Sequence, residues 1–341
     1  MNNPAHVGLC GAGHVATAHA MAAASLGMPV VAVASRTPAR AQALSKQTRA
    51  RAVDYAQLPA GADIIVVCTP AHLRAADTLR LLDAGCAVVV EKPLCVTLSE
   101  ADAIVAAAAV HNQRVLYAEN LAYSPVVAAL LNRVGHIGPL THLEARTINP
   151  LPTWRDVSLD ELGGGVLLDL GVHPLALMML AAGAAGAGPV VGVSARLEEG
   201  DTSRNDVYAE VDLTFRSGLV GRVVASWKGE QPQGDLQMSS AAGVLRVDFW
   251  PEPTLEHNGE PVPLPRAASP LEQFGYVEQL RSFQQDLRRG ATPFMDVAFG
   301  RLILEVVCAA YASAGANGTM QSVPFTGDRT KTPSQLWHRD E

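Results

Sequence analysis

Three groups of residues in this 341-residue chain are of types and spacings that could do chemistry. Glu91-Lys92-Pro93 closes the apolar run Ala87-Val88-Val89-Val90, which sets a carboxylate, an amine and a proline at the carboxyl end of an expected buried strand. Open parallel sheets bind ligands at that end of their strands, so Lys92 stands where an amine can meet one. Taken alone, the same tripeptide also reads as a charged strand end followed by a turn, because proline terminates strands. The second group is Gly11-Ala12-Gly13-His14-Val15-Ala16, between the strand candidate His6–Cys10 and the helix-favouring stretch Thr17–Ser25. Strand, tight turn and helix in that order give a Gly-x-Gly-x-x-Ala pattern its meaning: glycines let backbone approach a pyrophosphate, and the helix start offers unpaired amides. The third group follows Gly163-Gly164-Gly165, after which helical apolar spacing puts Asp169 and His173 on one face. A carboxylate and an imidazole inside an apolar helix need partners or water, and a polar pair satisfied within the core meets that need as well as a site does. Gly171 and Pro174 favour the site, since each is costly in a helix and implies that close packing or a kink outweighs propensity.

The elements that must position these groups follow from periodicity. After the glycine turn, Pro29–Ala34 reads as a strand ending at Ser35-Arg36-Thr37-Pro38, with Arg40 one turn on. An NAD-specific site usually carries Asp or Glu at that strand end. Ser35 with Arg36 and Arg40 suits a 2′-phosphate instead, so NADP is favoured over NAD as cofactor. Strands Ala62–Cys68, Ala87–Val90 and Val115–Ala118 alternate with helices Ala71–Ala84 and Ser99–His111. That order predicts a parallel, doubly wound sheet with helices on both faces. The turns Thr69-Pro70, with His72 beyond, Glu91-Lys92-Pro93 and Glu119-Asn120 then converge on one crevice with the glycine turn. Expected cofactor contacts are therefore Gly11, Ala12, Gly13, His14, Val15, Ser35, Arg36, Arg40, Thr69, Pro70, His72, Glu91, Lys92 and Asn120.

From Leu140 onward strand-like segments dominate: Leu140–Thr147, Val190–Arg196, Val207–Phe215, Val220–Trp227, Gly234–Ser239 and Val244–Phe249. Their imperfect alternation predicts a mostly antiparallel sheet covered on one face. Helices are expected over Glu278–Arg289 and Asp296–Ala314, and Pro324–Glu341 reads as a loosely held tail. The fold class is thus α/β, with an amino-terminal Rossmann domain over residues 1–121 and an α+β domain with a mostly antiparallel sheet over residues 122–328, before a tail over 329–341. Charge partitions the same way: up to residue 121 there are 9 Lys and Arg against 8 Asp and Glu, and beyond it 17 against 25.

Composition narrows the partners. With 48% hydrophobic and 17% charged residues the chain is globular, and a net charge of -7 without a basic block argues against nucleic acid or an anionic membrane. The uncharged stretch Pro174–Ala195 is broken by Gly183, Gly186, Gly188 and Pro189, which fits a helix end, a loop and a strand better than a span. Met1–His6 has no signal-peptide pattern, so a cytoplasmic location is expected. Cys10, Cys68, Cys86, Cys95 and Cys308 show no metal-ligand spacing and no disulfide framework, and no metal site is expected.

In this order, Gly11-x-Gly13-x-x-Ala16, Thr69-Pro70, Glu91-Lys92-Pro93, Glu119-Asn120 and Gly163-Gly164-Gly165 leading into Asp169-x-Gly171-x-His173 resemble the glucose-fructose oxidoreductase, inositol dehydrogenase and MocA family, over nearly the whole chain. The resemblance implies an NAD(P)-dependent dehydrogenase or reductase that moves hydride between nicotinamide and a secondary alcohol or ketone of a sugar, cyclitol or related polyol. By the same resemblance Lys92, Asp169 and His173 match the catalytic positions. Lys92 would stabilise the alkoxide, His173 would exchange the proton, and Asp169 would orient the pair or bind a substrate hydroxyl. A cis peptide bond before Pro93 is expected, which would aim Lys92 into the cleft. The second domain's open sheet would serve a homodimer or homotetramer. Two other readings stay open on this fold: an NAD-dependent redox-neutral glycosidase, against which Ser35 and Arg36 count, and a non-catalytic dinucleotide-sensing regulator. The chain departs from the family pattern at Ala71 and Arg74, where many relatives carry Asn and His, and at Ala176, where an acidic residue is common. Tyr123, Trp154 and Arg155 are candidate substrate contacts that read equally as packing or surface residues.

Overall fold

The computed structural model describes residues 4–112, 114–152, 163–201 and 203–338. Strands β1 (Val7–Cys10), β2 (Val30–Ala34), β3 (Arg51–Val53), β4 (Ile64–Val67), β5 (Ala87–Glu91) and β6 (Val115–Ala118) alternate with helices α1 (His14–Ser25), α2 (Pro38–Thr48), α3 (Ala71–Asp83) and α4 (Leu98–Val110). The six strands form one parallel sheet in the order β3-β2-β1-β4-β5-β6. Every residue of β1, β4, β5 and β6 is buried, which is why these strands read as continuous apolar runs. The strand order reverses between β1 and β4, so the carboxyl ends of β1, β4 and β5 lie side by side there. Arg51–Val53 lacks the apolar run that marks the other strands and is seen only through its pairing with β2.

The remaining elements are α5 (Pro125–Val134), β7 (Leu140–Pro150), α6 (Val172–Ala184), β8 (Val190–Gly200), β9 (Ser203–Phe215), β10 (Val220–Ser226), β11 (Lys228–Ser240), β12 (Gly243–Asp248), β13 (Thr254–His257), β14 (Glu260–Pro261), α7 (Pro270–Gln273), α8 (Tyr276–Arg289), α9 (Val297–Ala314), β15 (Gln321–Ser322) and α10 (Pro333–Trp337). Nine strands make a second sheet, β14-β13-β12-β11-β7-β10-β9-β8-β15, antiparallel except where β10 pairs β7 in parallel. One register row, Val247-Leu236-Ala145-Val223-Val211-Ala195, crosses six strands and is buried throughout. Helices α5 and α6 cover that face. The neighbouring row on the other face holds Asp248, Asp235, Arg146, Val224, Glu210 and Arg196, with an Arg146–Asp235 ion pair at 2.9 Å.

The chain divides into two compact units that are not consecutive stretches. The first comprises Met1–Cys95, Ser99–Ser124 and Ala267–Arg301, and the second Val96–Leu98, Pro125–Arg266 and Leu302–Glu341. Helices α7 and α8 thus return to the first unit, where they pack on α1. Gly275, with φ +81°, lets them do so: a Cβ there would lie 2.0 Å from the Asn120 carbonyl oxygen.

The loosely held tail expected from Pro324 onward is corrected. Phe325 and Leu336 are buried, the Phe325 amide donates to Glu305 Oε1 at 3.1 Å, and the Thr332–Gln335 capping box starts α10. His338 Nε2 lies 2.7 Å from the Arg204 carbonyl oxygen. These anchors are single side chains, each invisible to a periodicity argument. The apolar helical segments Leu167–Ala184 and Val297–Ala314 are long enough to cross a membrane, but 61% and 72% of each is buried within the fold.

Candidate active site

The glycine turn is built by close approach. Gly11 has φ +113°, and a Cβ on it would sit 2.9 Å from the Cys68 carbonyl carbon and oxygen where β4 ends. Gly13 caps α1 with extended backbone, offers no side-chain cap, and among the described residues no atom beyond its own chain neighbours lies within 4 Å of the position a Cβ would take. The first-turn amides of α1 therefore have room before them, and the turn fits the pyrophosphate of a dinucleotide. Beyond β2, Ser35 Oγ accepts from the Thr37 amide at 3.2 Å, and the Arg36 amide donates to Tyr55 Oη at 3.2 Å. The side chains of Arg36 and Arg40 are exposed, as is His14, while Ala12 and Val15 are half-buried.

The loop carrying Lys92 is held from beneath by Arg74. This buried guanidinium donates to the carbonyl oxygens of Thr69 at 2.8 Å, Glu91 at 3.0 Å and Pro93, tying the ends of β4 and β5 together. Thr69 Oγ1 in turn donates to Asp77 Oδ2 at 2.9 Å. Arg74, which departs from the family pattern, thus has a defined structural role here. The Lys92-Pro93 peptide bond is cis, as expected. Glu91 is buried, and its two oxygens have different partners: Oε1 lies 2.7 Å from His19 Nε2, and Oε2 accepts from the Lys92 amide at 3.0 Å. Burial pushes the Glu91 carboxyl up, but the His19 hydrogen bond and the charges of His19, Arg74 and Lys92 hold it below its ordinary value. Replacing Arg74 by Leu leaves three buried carbonyls without their donor. We expect Arg74→Leu to lower the unfolding free energy by about 2–4 kcal/mol, read from urea denaturation, with a shift under about 1 kcal/mol contradicting the clamp.

In the second unit, Asp169 and His173 sit on the helical segment that follows the three glycines. Residues Leu167–Gly171 form a π-helical turn that runs directly into α6. Such widened turns are frequent at functional sites, and the widening here comes just before Pro174, whose ring a regular α-helix would drive into the carbonyl four residues back. Gly171 packs closely: its Cβ would meet Leu167 Cδ1 at 2.6 Å and Ala225 Cβ at 3.3 Å. Of the close packing or kink expected from Gly171 and Pro174, the close packing is present at Gly171. Asp169 and His173 are half-buried, one turn apart.

What starts this helix is Asp206, a fully buried residue of β9 that sequence reasoning missed. Its Oδ1 and Oδ2 accept from the Gly165 and Leu167 amides, each at 2.9 Å, and Tyr311 Oη donates to Oδ1. Burial raises the Asp206 carboxyl above its ordinary value against the opposing pull of Tyr311, Leu167 and Gly165. The carboxylate thus caps the Asp169-His173 helix from 41 or 39 residues away in sequence. No local capping pattern could have disclosed it.

The remaining expected residues divide. Asn120 is buried and its amide donates to the Phe274 carbonyl oxygen at 2.7 Å, a link that helps hold α7 and α8. Tyr123 is buried, its Oη accepts from the Met295 amide at 3.2 Å and its ring meets Phe294 edge-on, so it belongs to the packing. Pro70 caps α3 and His72 in its first turn is half-buried. Trp154 and Arg155 lie outside the described residues. All five cysteines are free, and burial pushes the Cys10, Cys68 and Cys86 thiols up and that of Cys308 up to about 12, which suits packing rather than nucleophilic use.

Comparison with known proteins adds to this geometry. Residues 5–119 match the oxidoreductase family model with an NAD-binding Rossmann fold, and residues 128–245 match the GFO/IDH/MocA C-terminal domain. The chain belongs to the Gfo/Idh/MocA family. This Gfo/Idh/MocA oxidoreductase is 32% identical over 239 residues to a dTDP-3,4-didehydro-2,6-dideoxy-alpha-D-glucose 3-reductase of Streptomyces antibioticus, covering 66% of this chain and 70% of that protein. It is 24% identical over 351 residues to a D-xylose 1-dehydrogenase [NADP(+)] of Haloarcula marismortui, covering 94% of each. Among solved structures, the WlbA dehydrogenase of Bordetella pertussis in complex with NADH and UDP-GlcNAcA shares its fold with a TM-score of 0.79 at 20% identity, covering 95% of this chain and 99% of that one.

Proposed function

We propose that this oxidoreductase transfers hydride between NADP(H) and a secondary alcohol or ketone of a sugar, cyclitol or related polyol, with Lys92, Asp169 and His173 as its catalytic residues. The observation that carries the reading is the Lys92 loop, clamped by Arg74 at the end of β5 on the same sheet edge as the Gly11–Gly13 turn. The first unit would bind the dinucleotide and the second the substrate. The bound nicotinamide supplies a hydride donor or acceptor at its carbon 4. The chain's residues answer the charge and the proton that this transfer leaves behind. The Lys92 ammonium offsets developing negative charge on the substrate oxygen. His173 gives or takes the proton of that oxygen, and Asp169 orients it or binds a neighbouring hydroxyl. A panel of sugars, cyclitols and keto-sugars, assayed by nicotinamide absorbance with both cofactors, tests reaction class and cofactor together. No turnover with any polyol would count for the regulator reading, and product formation without net reduction of the nucleotide would count for the glycosidase.

The NADP preference rests on Ser35 in place of a carboxylate and on the exposed guanidinium groups of Arg36 and Arg40. A charge-assisted contact to a 2′-phosphate predicts that NADPH binds about tenfold or more tighter than NADH, and that Arg36→Ala removes most of that margin without weakening NADH. Fluorescence titration of both nucleotides measures it, and equal affinities in the wild type would exclude the phosphate contact. We propose a cytoplasmic homodimer or homotetramer assembled through the second unit's sheet, a reading that the family resemblance supports and light scattering tests.

A further inference from the structure

His19 is fully buried in α1, where a leucine would fill comparable space without a polar atom. It instead keeps Nε2 on Glu91 Oε1 at 2.7 Å, sets its ring edge-on to Tyr276 at 5.4 Å between centroids, and leaves Nδ1 buried without a hydrogen-bond partner among the described residues. Burying an imidazole against a carboxylate costs desolvation of both, and an orphaned Nδ1 adds to that cost. An arrangement that is expensive for stability calls for another use. Glu91 shows which: the oxygen not held by His19 accepts the backbone amide of Lys92 at 3.0 Å. One chain of contacts therefore runs from α1 through His19 and Glu91 to the peptide plane of Lys92. His19 lies six residues beyond Gly13, the residue that caps the start of α1.

Building on the function proposed above, we infer that His19 is a positioning residue. It holds the Glu91 carboxylate so that Lys92 is registered against the helix whose amino terminus takes the dinucleotide. The Glu91 carboxylate only accepts, so the proton of this hydrogen bond belongs to His19 Nε2. Of the small amide side chains, glutamine can place a donor near that point and asparagine, one methylene shorter, falls short of it.

The test uses His19→Leu, His19→Gln and His19→Asn in the full chain, with Lys92→Met as a reference. Lys92 is one of four lysines, with Lys46, Lys228 and Lys331, so brief acylation with acetic anhydride followed by mass spectrometry reads its reactivity against three internal standards. This readout needs neither substrate nor turnover. We expect the relative labelling of Lys92 to change about threefold or more in His19→Leu and His19→Asn and to return to the wild-type value in His19→Gln. With a turned-over polyol, His19→Leu should lose about 10- to 100-fold in kcat with KM and NADPH affinity within about threefold, again restored by glutamine. Unchanged Lys92 labelling in the leucine and asparagine variants would overturn the inference, as would equal losses in glutamine and asparagine variants. If His19→Leu does not fold, the glutamine and asparagine pair decides alone. Full turnover in Lys92→Met would instead overturn the proposed function and leave the labelling result standing on its own.

Discussion

Lys92→Met is expected to lower kcat by on the order of a hundred- to a thousandfold or more while NADPH binding stays within about threefold of the wild type. Methionine keeps most of the apolar stem of the side chain and removes the ammonium group, with its charge and its three donors. The main-chain contacts that shape the loop do not involve the ammonium group: Arg74 holds the carbonyls of Glu91 and Pro93, and Glu91 holds the Lys92 amide. The loop is therefore expected to keep its course, and the loss reports the charge rather than a collapse. Steady-state rates with the best polyol, together with fluorescence titration of NADPH, separate the two. Undiminished turnover would remove Lys92 from the catalytic set.

Gly165→Ala is expected to destabilise the protein by about 4 kcal/mol or more, among the largest effects available to a single methyl group. A Cβ at this position would lie 2.1 Å from the Asp206 carbonyl oxygen, 2.5 Å from its Oδ1 and 2.6 Å from its amide nitrogen. The carbonyl oxygen and the amide nitrogen are backbone atoms of a buried strand, which cannot swing aside as a side-chain end can. Moving Asp206 away would also break the bonds to the Gly165 and Leu167 amides that start the Asp169-His173 helix. Gly183→Ala, near the end of α6, is the matched control: among the described residues nothing beyond its own helix backbone lies within 4 Å of its Cβ position. There the same methyl group is expected to be neutral or to stabilise by up to about 1 kcal/mol, because alanine restricts the unfolded chain and favours helix. Denaturant unfolding of the two variants, compared for sign, is the check. Equal effects would mean that the close approach at Gly165 relaxes freely.

Much of the first unit was legible because parallel strands covered on both faces must be apolar throughout. Runs such as Ile64–Val67 and Ala87–Val90 could not be mistaken for exposed structure. Elements without that signature escaped. The run Val126-Val127-Ala128-Ala129-Leu130 is short and apolar enough to fit a strand or a helix, and its place as α5 against the second sheet was settled by packing. Strand β11 begins with the polar segment Lys228–Gln233, whose pairing with β7 needs a register shift that alternation does not encode.

By itself the sequence determined the α/β class, the glycine turn, the Glu91-Lys92-Pro93 strand end and the family, because each depends on residues adjacent in the chain or on a short periodicity. Tertiary structure alone decided how those groups are held. His19 meets Glu91 across 72 residues, Arg74 reaches Pro93 across 19, and Tyr311 meets Asp206 across 105. Each of these side chains is buried, where a polar group is tolerable only with a partner. Which partner it finds depends on where the sheet and helices bring distant segments together, and no local spacing carries that information.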